Sequence, residues 1–289
     1  MNTSLLGQSN LAVSTLCFGC MSLGTDEQAN KRLLHEAVDQ GVNFFDTADL
    51  YQKGWNESQV GSALKDRRKS VILATKVGNQ WRPDGSGWDW NPRKAYIKEA
   101  VKGSLQRLQT DYIDLYQLHG GTMEDSIDET IEAFEELCAE GHIRYYGISS
   151  IRPQVIETWL NRSNIVSVML QYSLLDRKQE NQVLEMIQQK GVGVIVRGAL
   201  AKGLLGNKPA TVYQEYSSQT VAAVQQVLHD MTLPERSPAQ MALQFCWQHP
   251  AVTTIACGMS RPSQLIENMG ALNAPPLTEV EYERLKATL

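Results

Sequence analysis

Eight times along this chain a short run of apolar, largely β-branched residues is followed by a stretch with helical spacing. The runs fall at 15–19, 42–46, 70–76, 112–118, 143–148, 165–170, 192–196 and 252–256. Short continuous apolar runs are what strands buried on both faces of a parallel sheet look like. Helical spacing follows at 27–40, 56–64, 93–108, 127–140, 153–161, 179–190, 219–230 with 238–249, and 262–271. Gly41, Gly141 and Gly191 stop three of these stretches. Eight βα units that close on themselves make a (β/α)8 TIM barrel, an α/β fold; an open doubly wound sheet is the alternative. A length of 289 residues is ordinary for one such barrel, so a single domain over 1–289 is expected. An N-terminal β-hairpin over 4–14, turning at Gly7, and additional C-terminal helices ending with 278–286 complete the expectation. The polar connections 78–91 and 202–216 are long enough to be functional.

Composition removes several function classes. The net charge is −5 and the basic residues are scattered, which leaves no footprint for nucleic acid. Apolar runs such as 165–170 fall far short of a membrane span. The segment from Met1 to Gly7 has neither the basic region nor the apolar core of a signal peptide. Five cysteines, an odd number, are expected to be reduced thiols in a cytoplasmic protein. Cys17 and Cys20 form a C-x-x-C, but no second pair or histidine cluster accompanies it, so no metal is expected. Gly198 and Gly203 have P-loop spacing without the Lys-Ser/Thr that must follow, and no G-x-G-x-x-G occurs. His35, His142, His229 and His249 read as structural.

Three of the strands end in chemistry. The second runs into Asp46, followed by a polar turn that reaches Tyr51; the third delivers Lys76, and the fourth His119. In a parallel barrel these side chains converge on the carboxyl rim, where active sites sit. A phenol with a reference pKa of about 10 is a poor acid at neutral pH, and a neighbouring ammonium lowers that value. A carboxylate paired with the lysine keeps it charged, and a histidine beside the phenol can bond the same substrate oxygen. Together they can give a proton to an oxygen becoming an alkoxide, which is half of a carbonyl reduction. The other half is hydride, which no side chain supplies, so a nicotinamide is implied.

With these residues placed, the chain resembles the aldo-keto reductase family. The resemblance covers nearly the whole sequence. It is carried by Leu16–Met21, Gly41–Ala48 with Tyr51, Thr75–Lys76, Asp111–Leu115 through His119, Gly141–Ser149, Gln171–Ser173, and Gly258 through Asn268. It implies Tyr51 as proton donor, Lys76 as modulator of its pKa, Asp46 as partner of Lys76, and His119 as the residue that orients the carbonyl. It further implies NADP(H) extended across the rim. Gly19, Cys20, Met21 and Asp46 are among the residues that bind it, its nicotinamide lies beside the tetrad, and Ser149, Ser150 and Gln171 hold the carboxamide. Gly198, Ala199, Leu200, Lys202, Gly203 and Leu204 form the loop over the pyrophosphate, and Arg197 before them stands at the nicotinamide. Gly258, Ser260, Arg261, Gln264, Glu267 and Asn268 meet the adenosine end. Ser260 and Pro262 also look like a helix start, whose free N–H groups favour an anion such as a 2′-phosphate.

Three positions depart from the family's habit. Ser150 stands where asparagine is usual, Cys257 where proline is common, and Arg197 where an aromatic ring often stacks on the nicotinamide. The expected partner is a small-molecule aldehyde or ketone. A cofactor-binding regulatory subunit resembling potassium-channel β subunits is the rival, against which stands the lack of an amino-terminal tether. A Schiff-base enzyme built on Lys76 is a third reading, opposed by the tyrosine–carboxylate pattern and the adenosine motif. Trp81, Trp88 and Trp90 either wall an apolar pocket or pack on the barrel.

Overall fold

The amino-terminal hairpin closes one mouth of the structure. The computed structural model describes residues 2–289, and its first two strands, β1 (Thr3–Leu5) and β2 (Ala12–Ser14), pair antiparallel. Leu6, Leu11 and Val13 are buried against Cys17, Phe44, Ala74, Leu115, Met169 and Ile195. The hairpin is therefore a plug for the core.

The chain then alternates. In order come β3 (Leu16–Gly19), α1 (Glu27–Asp39), β4 (Phe44–Asp46), α2 (Trp55–Leu64) and β5 (Ile72–Val77). A small hairpin, β6 (Asn79–Trp81) and β7 (Trp88–Trp90), precedes α3 (Lys94–Leu108), β8 (Ile113–Leu118), α4 (Ile127–Ala139) and β9 (Ile143–Ser149). Next are α5 (Pro153–Arg162), β10 (Ser167–Gln171), α6 (Glu185–Gln189) and β11 (Gly193–Arg197). The remainder is α7 (Ser218–Asp230), α8 (Pro238–Gln248), β12 (Val252–Gly258), α9 (Pro262–Gly270) and α10 (Glu279–Lys286). Strands β3, β4, β5, β8, β9, β10, β11 and β12 pair in that order, all parallel, and β12 returns to β3. The sheet is a closed (β/α)8 barrel, as the periodicity predicts, and the open sheet is excluded.

Local chemistry explains the helix starts. Asp26 and Ser217 each accept a backbone N–H of the first turn that follows, and Ser237–Gln240 and Thr278–Glu281 form capping boxes. The expected single helix over 179–190 is instead a π turn, Glu180–Leu184, running into α6. There Arg177 holds the buried Glu180 at 2.5 Å, and Leu184 N–H donates to Gln179 five residues back. Connection 78–91 also departs from expectation. It is not irregular: Asn79, Gln80 and Trp81 pair with Trp90, Asp89 and Trp88.

Candidate active site

Side chains on a strand alternate between faces, so a residue two places beyond an interior one also points inward. The apolar interior layer includes Cys17, Phe44, Ala74, Leu115, Met169 and Ile195. Two residues further along the same strands stand Gly19, Asp46, Lys76, Gln117, Gln171 and Arg197. The register places Gly258 beside Gly19, Gly19 beside Asp46, Lys76 beside Gln117, and Gln171 beside Arg197. A polar layer thus lies directly above the apolar one, at the carboxyl mouth.

Four expected residues meet on one side of this layer. Lys76 Nζ is 2.6 Å from Asp46 Oδ2, 2.7 Å from the Thr47 carbonyl oxygen and 3.4 Å from Tyr51 Oη. Gln117, not anticipated from sequence, donates to Asp46 Oδ1 at 3.3 Å. The Tyr51 and His119 rings meet edge to face, 5.9 Å between centroids. His119 N–H donates to the Val77 carbonyl at 2.7 Å, which continues the strand ladder one step past β8. Tyr51 is carried by a tight turn after β4, in which Gln52, Lys53 and Gly54 all have left-handed backbone (φ 50, 56 and 84). Among the described residues no acceptor takes the Tyr51 hydroxyl proton; its one hydrogen bond is received from Lys76.

Burial governs the electrostatics. It pulls the Lys76 ammonium down, but Asp46 and then Tyr51 outweigh it, so the lysine lies above its ordinary range and stays charged. Burial lifts Asp46, against the pull of Lys76. It lifts Tyr51 as well, and Lys76 offsets only part of that rise. The lowering expected of Lys76 is therefore present but outweighed. His119 is pushed down to about 3 by burial, Lys76 and Arg197, and is a neutral imidazole at physiological pH.

The other half of the rim is built differently. Ser149 closes β9, and Ser150 follows it, both buried. Gln171 is held at both ends of its amide: Arg197 Nη1 donates to its oxygen at 2.7 Å, and its nitrogen donates to Asp176 Oδ2 at 2.7 Å and Tyr213 Oη at 3.2 Å. Asp176 also accepts from Gln214 (2.7 Å), which ties connection 202–216 to the rim. The turn after β11 is left-handed at Gly198, Ala201, Lys202 and Gly203, with Ala199 and Leu204 buried and Leu200 packed on the core. Cys20 and Met21 lie in the turn after β3, the first buried and the second exposed.

Past β12 and its last residue, Gly258, the expected helix starts at Pro262. Arg261 is the N-cap of α9 and Pro262 its first residue, while the Ser260 N–H is taken by Gln264 Oε1 at 2.8 Å. Glu267 accepts from Ser237, and Asn268 is buried. Of the three tryptophans, Trp90 packs on the backbone at Gly78 and Gly120 and donates to Asp125 (2.9 Å), and Trp81 lies under Lys53 at 5.2 Å. Trp88 is half-exposed. Gln117, Asp176, Tyr213 and Gln214 carry no sequence motif; the inward parity of Gln117 with Leu115 is the one signal that could have found any of them.

Comparison with known proteins agrees with this geometry. The Aldo/keto reductase family profile matches residues 15–289. The uncharacterized oxidoreductase YqkF of Bacillus subtilis is 49% identical over 99% of this chain and 96% of its own. The holo form of aldo-keto reductase AKR11C1 from Bacillus halodurans superposes with TM-score 0.95 at 53% identity, covering 100% of this chain and 96% of that one. A probable voltage-gated potassium channel subunit beta of rice is 30% identical over 96% of this chain and 92% of its own. Closed parallel barrel, polar rim and sequence together place this chain in the aldo/keto reductase family.

Proposed function

We propose that the protein reduces aldehydes or ketones to alcohols with NADPH, and that Tyr51 supplies the proton. The observation that carries this reading is the Tyr51 hydroxyl, which receives Lys76 at 3.4 Å and gives its own proton to no described residue. A phenol so placed is protonated at neutral pH and free to donate to a substrate oxygen. As the proton leaves, Lys76 faces the growing phenolate, and Asp46 keeps the lysine charged. Neutral His119 cannot compete as the acid; it donates or accepts a hydrogen bond and orients the carbonyl.

The rim fits a nicotinamide dinucleotide in its donor chemistry. Ser149, Ser150 and Gln171 would hold an amide, the turn Gly198–Leu204 with Lys202 would hold phosphates, and Arg261 at a helix start suits a dianion. When bound, the cofactor supplies the hydride. No acidic residue stands in 258–264 to pair with a free 2′-hydroxyl, which favours NADPH over NADH. Tyr51→Phe should keep NADPH binding and lose roughly 10²-fold or more in kcat. The check is NADPH consumption over an aldehyde and ketone panel, with binding followed by fluorescence quenching. A variant that turns over near the wild-type rate removes Tyr51 from the reaction. NADPH binding without turnover on any carbonyl would favour the regulatory role suggested by the rice relative.

A further inference from the structure

Behind the rim, on the helix side of β5, lies a second set of buried charges. Glu57 in α2 is fully buried, and its two oxygens are shared: Thr75 Oγ1 donates to one at 2.6 Å and Arg107 Nε to the other at 2.7 Å. Thr75 immediately precedes Lys76, with the opposite parity, so one residue faces α2 while the next faces the site. Arg107, near the end of α3, lies against Gly54, the last of the three left-handed residues of the Tyr51 turn. A Cβ built at Gly54 would stand 2.7 Å from Arg107 Nε and 2.8 Å from its Cδ. Helices α2 and α3 touch backbone to side at Gly61, where a Cβ would be 2.5 Å from the Arg107 carbonyl oxygen, and this fixes where Arg107 starts. Asp49, two residues before Tyr51, is buried in the same layer, and its N–H donates to the Lys76 carbonyl at 3.3 Å.

Stability alone does not require this arrangement. Glu57 is buried while the Arg107 side chain is 31% exposed, and apolar residues of the same volume often serve such a site as well. What the Glu57–Arg107 pair does besides is reach both partners of the 3.4 Å Lys76–Tyr51 contact, one through Thr75 and the other through the turn at Gly54. We propose that Glu57 and Arg107 are positioning residues that hold Tyr51 and Lys76 in register with each other. The proposal rests on the assignment of those two residues to proton transfer, and displacing a reacting group by about 1 Å can lower a rate 10²-fold.

The test uses Glu57→Gln, which keeps volume but removes the charge and one of the two acceptor oxygens, and Thr75→Val, which removes only the hydroxyl link. Thr75→Ser restores that link, and Glu281→Gln serves as a control that breaks a remote ion pair to Arg236. Expected are roughly tenfold or greater losses of kcat in Glu57→Gln, smaller losses in Thr75→Val, rescue in Thr75→Ser, and unchanged NADPH Kd throughout. Glu281→Gln should lower Tm and leave kcat alone. A readout independent of turnover is the ζ-¹³C resonance of Tyr51, assigned with Tyr51→Phe, which should move in Glu57→Gln and Thr75→Val but not in Glu281→Gln. Kinetics within twofold of wild type and an unmoved Tyr51 resonance would overturn the brace. Absence of carbonyl turnover in the wild type would instead overturn the proposed reaction, while the Tyr51 resonance still decides the brace.

Discussion

The two halves of the carboxyl rim are made of different kinds of contact. On the β4–β5–β8 side, Asp46 and Lys76 are almost wholly buried and complete one another at 2.6 Å. On the β10–β12 side, Arg197, Gln171, Asp176 and Gln214 satisfy one another in a partly exposed chain, and Gln264 occupies the N–H of Ser260. The first half has no cheap alternative arrangement, because separating its charges leaves one of them buried and unpaired. Asp176 is buried too, but its partners Gln171 and Gln214 are neutral amides and Arg197 is partly exposed, so these contacts exchange more readily than the Lys76–Asp46 pair. Under the proposed function, the rigid half would carry the proton transfer and the more adjustable half the cofactor.

The largest expected break falls on the rigid half. Lys76→Met leaves Asp46 buried without its partner and should cost about 3–5 kcal/mol of stability, read as a fall in Tm and in denaturant midpoint. Turnover should fall by roughly 10³-fold. Adding Asp46→Asn should recover much of the stability and none of the turnover. Recovery of both would mean that the pair serves folding alone.

On the adjustable half the effects should be smaller and confined to binding. Arg261→Ala is expected to raise the NADPH Kd roughly tenfold while leaving that for NADH nearly untouched, as loss of a charge-assisted contact predicts. Equal wild-type affinity for the two cofactors would remove the 2′-phosphate from the argument. Arg197→Tyr should move affinity by only a few-fold, and asymmetrically. A guanidinium near the ring disfavours the cationic oxidised cofactor, so the variant should narrow the preference for NADPH over NADP⁺, initially about 1 kcal/mol or several-fold. An unchanged ratio would leave Arg197 as the anchor of Gln171 that its 2.7 Å contact already makes it.

The last effect concerns His119 and appears only as pH falls. Its folded-state value of about 3 lies below the ordinary 6.5, so between those limits the unfolded chain binds a proton that the folded chain does not. His119 therefore favours folding fully above pH 6.5 and progressively less as pH falls toward 3. His119→Asn should flatten the acid limb of the stability curve over that window, and kcat of the wild type should show no titration attributable to this ring from pH 5 to 8. A step near 6.5 that vanishes in the variant would show the imidazole to be solvated and ionisable.

Much of the barrel is legible in the sequence because strand burial and helical spacing are written locally: eight apolar runs and three glycine stops need no knowledge of neighbours. Asp46, Lys76 and His119 were legible for the same reason, since a strand's end in a parallel barrel has only one rim to reach. The β6–β7 hairpin was not, because its pairing of Trp81 with Trp88 follows neither an alternating apolar pattern nor a two-residue turn. Nor was the π turn at Glu180–Leu184, where an ion pair to Arg177 accompanies the altered helical register. Sequence by itself determined the fold, the strand ends and the residue types that converge there. Tertiary structure alone decided which partner each polar group took: Gln117 on Asp46, Arg197 on Gln171, and Glu57 between Thr75 and Arg107. The reason is physical. Periodicity fixes which face a side chain presents, whereas a buried hydrogen bond depends on the distance between atoms that the chain separates by tens of residues and only packing brings together.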